Sequence, residues 1–287
     1  MQVLVAGGTG FVGSALVPEL IRAGHDVTVL SRDAGARVQG ARVCTIETLP
    51  ERLEGVITLT GAPINKRWTQ RHLRAIRESR VDLTARLREE AEKRGARTFV
   101  STSAVGYYGD RGDEVLTEQS SAGDDFLAKL SVDWEAAAQS DRMRVTVVRA
   151  GLVMHKTGGA LKQMLLPFRL GLGGRISHGR FWWSWVSLVD IAGIYRHALE
   201  NEQVRGPINA TAPGPVTNRE FTRVLGKLLH RPTLFPVPRF ALHILMGKAA
   251  QVVWASQRAL PARTQELGYQ FKQPTIEEGL KAALTQQ

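Results

Sequence analysis

Three groups of residues in the first half of the chain have types and spacings that could do chemistry. The first is Gly7-Gly8-Thr9-Gly10-Phe11-Val12-Gly13, close to the start. Gly7 and Gly8 let the backbone turn sharply, Gly10 removes a Cβ where a pyrophosphate must approach, and Gly13 lets a helix pack closely on a sheet. Phe11 and Val12 complete the turn, and the amides of the helix N-terminus then face the anion. The second group is Ser31-Arg32. A carboxylate about 20 residues beyond such glycines would take the 2′-hydroxyl of NAD, whereas a neutral residue followed by Arg suits the 2′-phosphate of NADP. This pair points to NADP(H), with the nearby Asp33 a mild counter-signal. The third group is Ser101-Thr102-Ser103 with Tyr107 and Tyr108. Hydroxyls at a strand's carboxyl end beside two tyrosines are what a carbonyl-polarising site needs, although Ser and Thr there also serve as plain turn formers.

The elements that must carry these groups follow from periodicity. Val3 to Ala6 reads as a strand and Ser14 to Ala23 as a helix closed by Gly24, with Val27 to Leu30 the next strand. Arg42 to Ile46 is a weak strand. Val56 to Ala62 is a strand ending in small residues, so that Leu59, Thr60 and Gly61 offer backbone to a ligand at the sheet's carboxyl edge. Thr69 to Arg94 reads as one long helix with Leu73, Ile76, Leu83 and Leu87 on its apolar stripe; Arg80 interrupts that spacing and can turn inward toward phosphate. Thr98 to Ser103 and Val145 to Arg149 are further strands, with a helix over 125–138 between them. The acidic, turn-rich stretch Asp110 to Asp125 reads as a mobile loop over the site. This alternation predicts an α/β fold, a Rossmann-type doubly wound parallel sheet, in residues 1–155.

Past this point the pattern changes. Gly158-Gly159, Gly171 to Gly174 and Phe181-Trp182-Trp183-Ser184-Trp185 are irregular and aromatic, able to wall a pocket, although Trp clusters more often belong to a core. A helix from Val189 to Glu200 and a short strand over 206–210 are expected to return to the sheet. Helices over 218–229, about 241–255 and from about Thr275 make 156–287 a smaller, mainly helical, substrate-side domain.

Composition bounds the possibilities. Of 287 residues 43% are hydrophobic and 23% charged, as in a globular protein. No apolar run is long enough to span a bilayer and no charged-then-apolar leader opens the chain, which reads as cytoplasmic. The single Cys44 excludes an internal disulfide and a multi-cysteine metal site. A net charge of +11 favours phosphate-bearing partners, but no nucleic-acid module is recognisable, and neither nucleic acid nor a membrane is expected as a partner.

With these residues in place the chain resembles the atypical, epimerase-type short-chain dehydrogenase/reductases, and more narrowly the epimerase-family proteins with a C-terminal helical segment of unknown role. The likeness rests on the glycine turn, Ser31-Arg32, Arg67-Trp68-Thr69 with Ser79-Arg80, Ser103 to Gly109, Asp133-Trp134-Glu135, Gly158 to Leu161, Leu170 to Gly174, and Leu267 to Phe271. It implies NADP(H) held by the glycine turn, Ser31-Arg32, Leu59-Thr60, Arg80 and the backbone near Val153. Ser103 matches the family's serine, and Tyr108 the tyrosine of its Val-Tyr-Gly-like segment.

Epimerase-type enzymes activate a tyrosine with a lysine four residues later. Here that step leads from Tyr107, Tyr108, Tyr195 and Tyr269 to Arg111, Gly112, Leu199 and Gln273, and the matching helix carries Phe126 and Leu130 instead. Ser103 and Tyr108 are therefore the expected catalytic pair, with Tyr107 and then His155 as substitutes for the proton donor. Two functions are compatible with this pattern: an NADP(H)-dependent oxidoreductase acting on a small carbonyl or sugar-like substrate, or a cofactor-binding regulator, since some relatives are described in cell division.

Overall fold

The computed structural model describes residues 1–285. Its frame is a seven-stranded, wholly parallel sheet formed by β1 (Gln2–Ala6), β2 (Asp26–Leu30), β3 (Arg42–Cys44), β4 (Gly55–Thr58), β5 (Thr98–Ala104), β7 (Arg144–Ala150) and β11 (Gly206–Ala210). The strand order is β11-β7-β5-β4-β1-β2-β3. Strand order thus reverses between β1 and β4, and the crevice beyond their carboxyl ends is where ligands enter sheets of this kind.

Strand side chains alternate between two buried faces. Val3, Val5, Val27, Val29, Ile57 and Val100 pack on one face against α1 (Gly13–Arg22) and α6 (Leu188–Glu200). Leu4, Val56, Phe99 and Val147 pack on the other, where α3 (Leu83–Lys93) contributes Leu87 and Ala91. Burial on both faces is why these strands read as continuous apolar runs. A separate core lies beside the sheet. It joins Met154 of β8 (Leu152–His155), Leu161 and Phe168 of α5 (Gly159–Arg169), Phe221 of α7 (Asn218–Leu229) and Leu280 of α11 (Ile276–Thr285).

Three expectations are revised. The stretch from Thr69 to Arg94 is not a continuous α-helix but α2 (Gln70–Arg77), a π-turn over Glu78–Asp82, and α3. The extra residue re-aims the side chains between the two halves, a known use of π-bulges. Residues 241–255 likewise form α8 (Arg239–Met246), a 3-10 turn and α9 (Gln251–Trp254). The segment 110–125 is pinned rather than loose: β6 (Val115–Leu116) pairs with β13 (Arg258–Ala259), and the Asp110 carboxylate accepts from the Ser256 amide. The aromatic run is core, the more common fate of Trp clusters. Phe181 and Trp183 at the edge of β9 (Trp182–Trp183) and Trp185 of β10 (Trp185–Ser187) are buried, while β9 pairs with β12 (Val216–Thr217).

The chain beyond α10 (Ala262–Glu266) is clasped to the sheet layer by one carboxylate. Asp190, in the first turn of α6, is fully buried. It accepts from the Ser187 hydroxyl at 2.8 Å, the Tyr269 hydroxyl at 3.1 Å, the Lys272 amide at 2.8 Å and the Gln273 amide at 3.1 Å. Gly193 is needed beneath this clasp, because a Cβ there would overlap the Tyr269 hydroxyl. Burial and the adjacent Asp190 together push the Tyr269 phenol above its ordinary range, keeping it a donor.

Candidate functional site

The exits of β1 and β4 lie side by side. The Leu59 amide donates to the Ala6 carbonyl at 2.7 Å, and Gly7, at φ +86°, passes so close that a Cβ would sit 3.1 Å from the Leu59 carbonyl carbon. Gly13 is the tightest position in the turn, since a Cβ would stand 2.5 Å from the carbonyl oxygens of both Gly7 and Gly8. Within this turn Gly10 donates to Gly7, and Ser14 donates to Gly10. Among the described residues the amides of Phe11, Val12 and Gly13 have no hydrogen-bond partner, and α1 has no side-chain cap. They are the open donors of a helix N-terminus, the arrangement that receives phosphate.

Other groups around the crevice are also left open. The Thr60 hydroxyl is buried without a partner. Arg80, swung inward by the π-turn, donates to the carbonyls of Ala62 at 3.0 Å and Ile76 at 3.3 Å, and its guanidinium lies 5.2 Å from the Trp134 ring centroid. Burial pushes its pKa down to about 10, and among the described residues no carboxylate forms an ion pair with it. A largely buried charge with only carbonyls and an aromatic ring for company calls for an anion. Gly61 makes room for it, as a Cβ there would lie 2.9 Å from the Arg80 Cζ. Ser79 supports the same loop, accepting from the Ala62 amide at 2.8 Å.

At the tip of β2, Ser31 accepts from the Asp33 amide at 3.1 Å, and the Asp33 carboxylate turns back to accept from the Gly35 amide at 2.9 Å. That carboxylate is therefore occupied by its own turn. Arg32 is exposed and makes no ion pair among the described residues. On the far side of the crevice, β8 carries the half-buried Val153, and the Phe11 ring sits against the β8–α5 turn, where a Cβ on Gly158 would overlap it. His155 is buried, its ring centroid is 6.3 Å from that of Phe11, and burial lowers its pKa, keeping it neutral.

The expected catalytic pair is placed differently. Ser103 and Tyr108 are buried in a closed network instead of facing the crevice. The Ser103 hydroxyl donates to Glu135 at 2.7 Å, and Glu135 takes both forks of the Arg149 guanidinium at 2.9 Å each. Arg149 also donates to the Tyr108 hydroxyl at 3.1 Å, and that hydroxyl donates to Asn209 at 2.7 Å. Burial pushes the Tyr108 phenol up to about 12 against the pull of Arg149, so near neutrality it stays protonated with its proton engaged. For Arg149 burial opposes the charge, but the Glu135 carboxylate overrides it and holds the guanidinium above its ordinary value. Glu118 closes the network, accepting from the Asn209 amide at 2.9 Å.

The Tyr107 ring stacks 3.5 Å beneath Arg149, and its hydroxyl has no partner among the described residues. Lys129 is exposed, and Phe126 packs against Trp68 at 5.2 Å between centroids. Glu135, Arg149, Asn209 and Glu118 were not singled out as polar partners from sequence. An arginine inside the apolar strand Val145 to Arg149 is the signal that could have found them, because a buried guanidinium demands a carboxylate.

Residues 3–210 match the NAD dependent epimerase/dehydratase family, and residues 237–283 match a domain of unknown function, DUF1731. The chain belongs to the epimerase family. An epimerase family protein of Arabidopsis thaliana, the chloroplastic SDR39U1 homolog, is 36% identical over 302 residues, covering 99% of this chain and 87% of the relative. The human SDR39U1 crystal structure, isoform 2 with NADPH, superposes with a TM-score of 0.92 at 36% identity, covering 99% of this chain and all of the other. A UDP-glucose 4-epimerase from Thermotoga maritima shares the fold, with a TM-score of 0.80 at 20% identity and coverage of 99% and 97%. In this epimerase-family chain, then, the crevice between β1 and β4 carries the open donors, and the Ser103–Tyr108 cluster the satisfied ones.

Proposed function

We propose that this protein is an NADP(H)-dependent oxidoreductase acting on a small carbonyl or sugar-like substrate at the carboxyl edge of the sheet. The observation that carries the reading is the set of groups around one crevice that the described residues leave open: three amides and the Thr60 hydroxyl without a partner, and Arg80 bonded to carbonyls but to no carboxylate. These fit a dinucleotide. The amides of Phe11, Val12 and Gly13 would hold the pyrophosphate, Ser31 and Arg32 the 2′-phosphate, and Gly7, Gly10, Leu59, Thr60, Gly61 and the Val153 backbone the remaining length. Arg80 would supply positive charge beside Gly61. The relative solved with NADPH supports the same choice of cofactor. When bound, the cofactor supplies a hydride to a carbonyl carbon or removes one from an alcohol.

This chain's own residues must then manage the proton. Tyr107, directly after the end of β5, holds a phenol at the carboxyl edge whose proton is not engaged elsewhere, and it is the proposed donor to the substrate oxygen. Ser103 and Tyr108 act one layer behind it, fixing Arg149, on which the Tyr107 ring rests. They are positioning residues in this reading.

Calorimetric titration tests the cofactor. NADPH should bind more tightly than NADH, and Arg32→Ala should shrink the gap by roughly ten- to a hundredfold; equal affinities in the parent protein would sink the assignment. NADPH oxidation against a panel of aldehydes, ketones and quinones tests the chemistry. Turnover lost in Tyr107→Phe with NADPH affinity intact supports it, whereas tight NADPH binding with no turnover of any panel member points to a cofactor-binding protein without reductase activity.

A further inference from the structure

One face of the molecule is apolar, exposed and free of acid. At the end of α5 and in the turn after it, Leu166, Leu170 and Leu172 are 64 to 67% exposed. Leu234 and Phe235, before α8, are 77% and 69% exposed, and Phe240, Ile244 and Leu245 on α8 are 68 to 73% exposed. Single exposed leucines are ordinary; eight large apolar side chains from three adjacent segments are not.

The segments form one surface. Pro232 packs on Gly171, the backbone at Phe235 lies against Gly174, and Arg231 donates to the Arg169 carbonyl at 2.8 Å. The Val237 amide donates to the Arg175 carbonyl at 2.8 Å, continuing the contact to the foot of α8. No residue of α8 is buried.

Charge says what the face would meet. The stretches 156–189 and 221–265, in which these exposed apolar residues lie, contain no Asp or Glu, and carry five and seven Lys or Arg respectively. Of these twelve cations only Lys227 is paired with a carboxylate among the described residues, at 3.4 Å from Glu277. Arg169, Arg231, Arg239 and Lys248 flank the apolar side chains in sequence and are exposed. A second copy docked on the same patch would set these cations against their own equivalents, which is repulsive. An anionic lipid surface satisfies both features at once, taking the apolar side chains into its interfacial layer and the cations among its headgroups.

We propose that this face seats the protein on anionic lipid bilayers, with Phe240, Ile244, Leu245 and the Leu170–Leu172 turn inserted at the level of the headgroups. The attachment is peripheral, as no helix among the described residues is long and apolar enough to cross a membrane. It goes beyond the expectation from sequence that no membrane is a partner. That expectation rested on the lack of a spanning segment, which does not bear on a surface patch assembled from three separate stretches.

Vesicle flotation tests it, using phosphatidylcholine with and without phosphatidylglycerol. The full chain should float with the phosphatidylglycerol vesicles and much less with neutral ones, and added salt should weaken the binding. The triple substitution Phe240→Ser, Ile244→Ser, Leu245→Ser should lower binding about tenfold or more. Arg169→Gln with Arg239→Gln should remove the preference for the anionic lipid. All three changed residues of α8 are exposed, and an unchanged thermal melt establishes that loss of binding is not loss of fold. A separate pair, Leu170→Ser with Leu172→Ser, reports independently of α8. Binding to neither vesicle, or binding that these variants leave intact, overturns the proposal. So does a dimer in light scattering that the triple substitution dissociates, since a second copy would then cover the face.

Discussion

Two polar clusters lie at the same carboxyl edge of the sheet, one around Gly7 to Gly13, Thr60 and Arg80, the other around Ser103, Glu135, Arg149 and Tyr108. Both hold hydroxyls and an inward-turned arginine, and from sequence the second has the more catalytic vocabulary. They differ in closure. Arg149 meets a carboxylate in a two-pronged pair, whereas Arg80 meets carbonyls and the Trp134 ring, and the Tyr108 hydroxyl is engaged twice, whereas that of Thr60 has no partner among the described residues. A saturated cluster fixes backbone. An unsaturated one is completed by something that arrives, because buried polar groups are otherwise costly.

The contrast is most easily broken at Arg149. Arg149→Met leaves the Glu135 carboxylate buried without its cation, and should cost about 3–5 kcal/mol in urea unfolding; adding Glu135→Leu should recover part of it. A loss below about 1 kcal/mol would mean the network is open to water after all. Tyr108→Phe comes next, with an expected loss of about 1–3 kcal/mol and an unchanged affinity for NADPH. A fall in NADPH affinity without a change in stability would move that hydroxyl into the ligand site.

Thr60→Val should behave in the opposite way. Removing an unpartnered buried hydroxyl leaves stability unchanged or raises it by up to about 1 kcal/mol, while NADPH binding weakens several-fold by calorimetry. The smallest effect lies outside both clusters, where Arg196 bridges Glu19 of α1 and Glu200 of α6, each at 2.9 Å. Burial raises the pKa of both glutamates, but the hydrogen bonds from Arg196 override it and leave them below the ordinary value. A depressed carboxylate contributes its full stability above the unfolded pKa, about 4.3, and loses it as the pH falls through the lower folded value. The unfolding free energies of the parent and Arg196→Gln should differ slightly at neutral pH, by less than about 1 kcal/mol after solvent screening, and converge as the pH drops below about 4.

Much of the fold could be read from local pattern, because apolar strands flanked by glycines and amphipathic helices are local signals. The glycine turn, the strand at Val27 to Leu30 and the helix over 218–229 are of this kind; in the structure the Thr217 hydroxyl caps that helix, accepting from the Glu220 amide at 3.2 Å. The π-turn was half legible, as Arg80 broke the spacing without showing how the backbone would absorb it. The network around Arg149 was not legible. Its partners stand 14 to 41 positions away along the chain, and only folding shows that Ser103 and Tyr108 spend their hydroxyls on them. The surface on α8 escaped for a different reason: eight residues of mixed apolar and basic type look alike whether one face is buried or none.

The Asp190 clasp has a consequence for the order in which the molecule can be made. Its carboxylate lies on α6, in the helix layer packed on the sheet, yet three of its partners are synthesised about eighty residues later, at Tyr269, Lys272 and Gln273. A nascent chain that has already emitted every strand of the sheet still holds a buried acid with those bonds unmade. Synthesis of the stretch from Tyr269 to Gln273 therefore completes the helix layer that covers the sheet, and that layer reaches its final stability only when these residues emerge to close over Asp190.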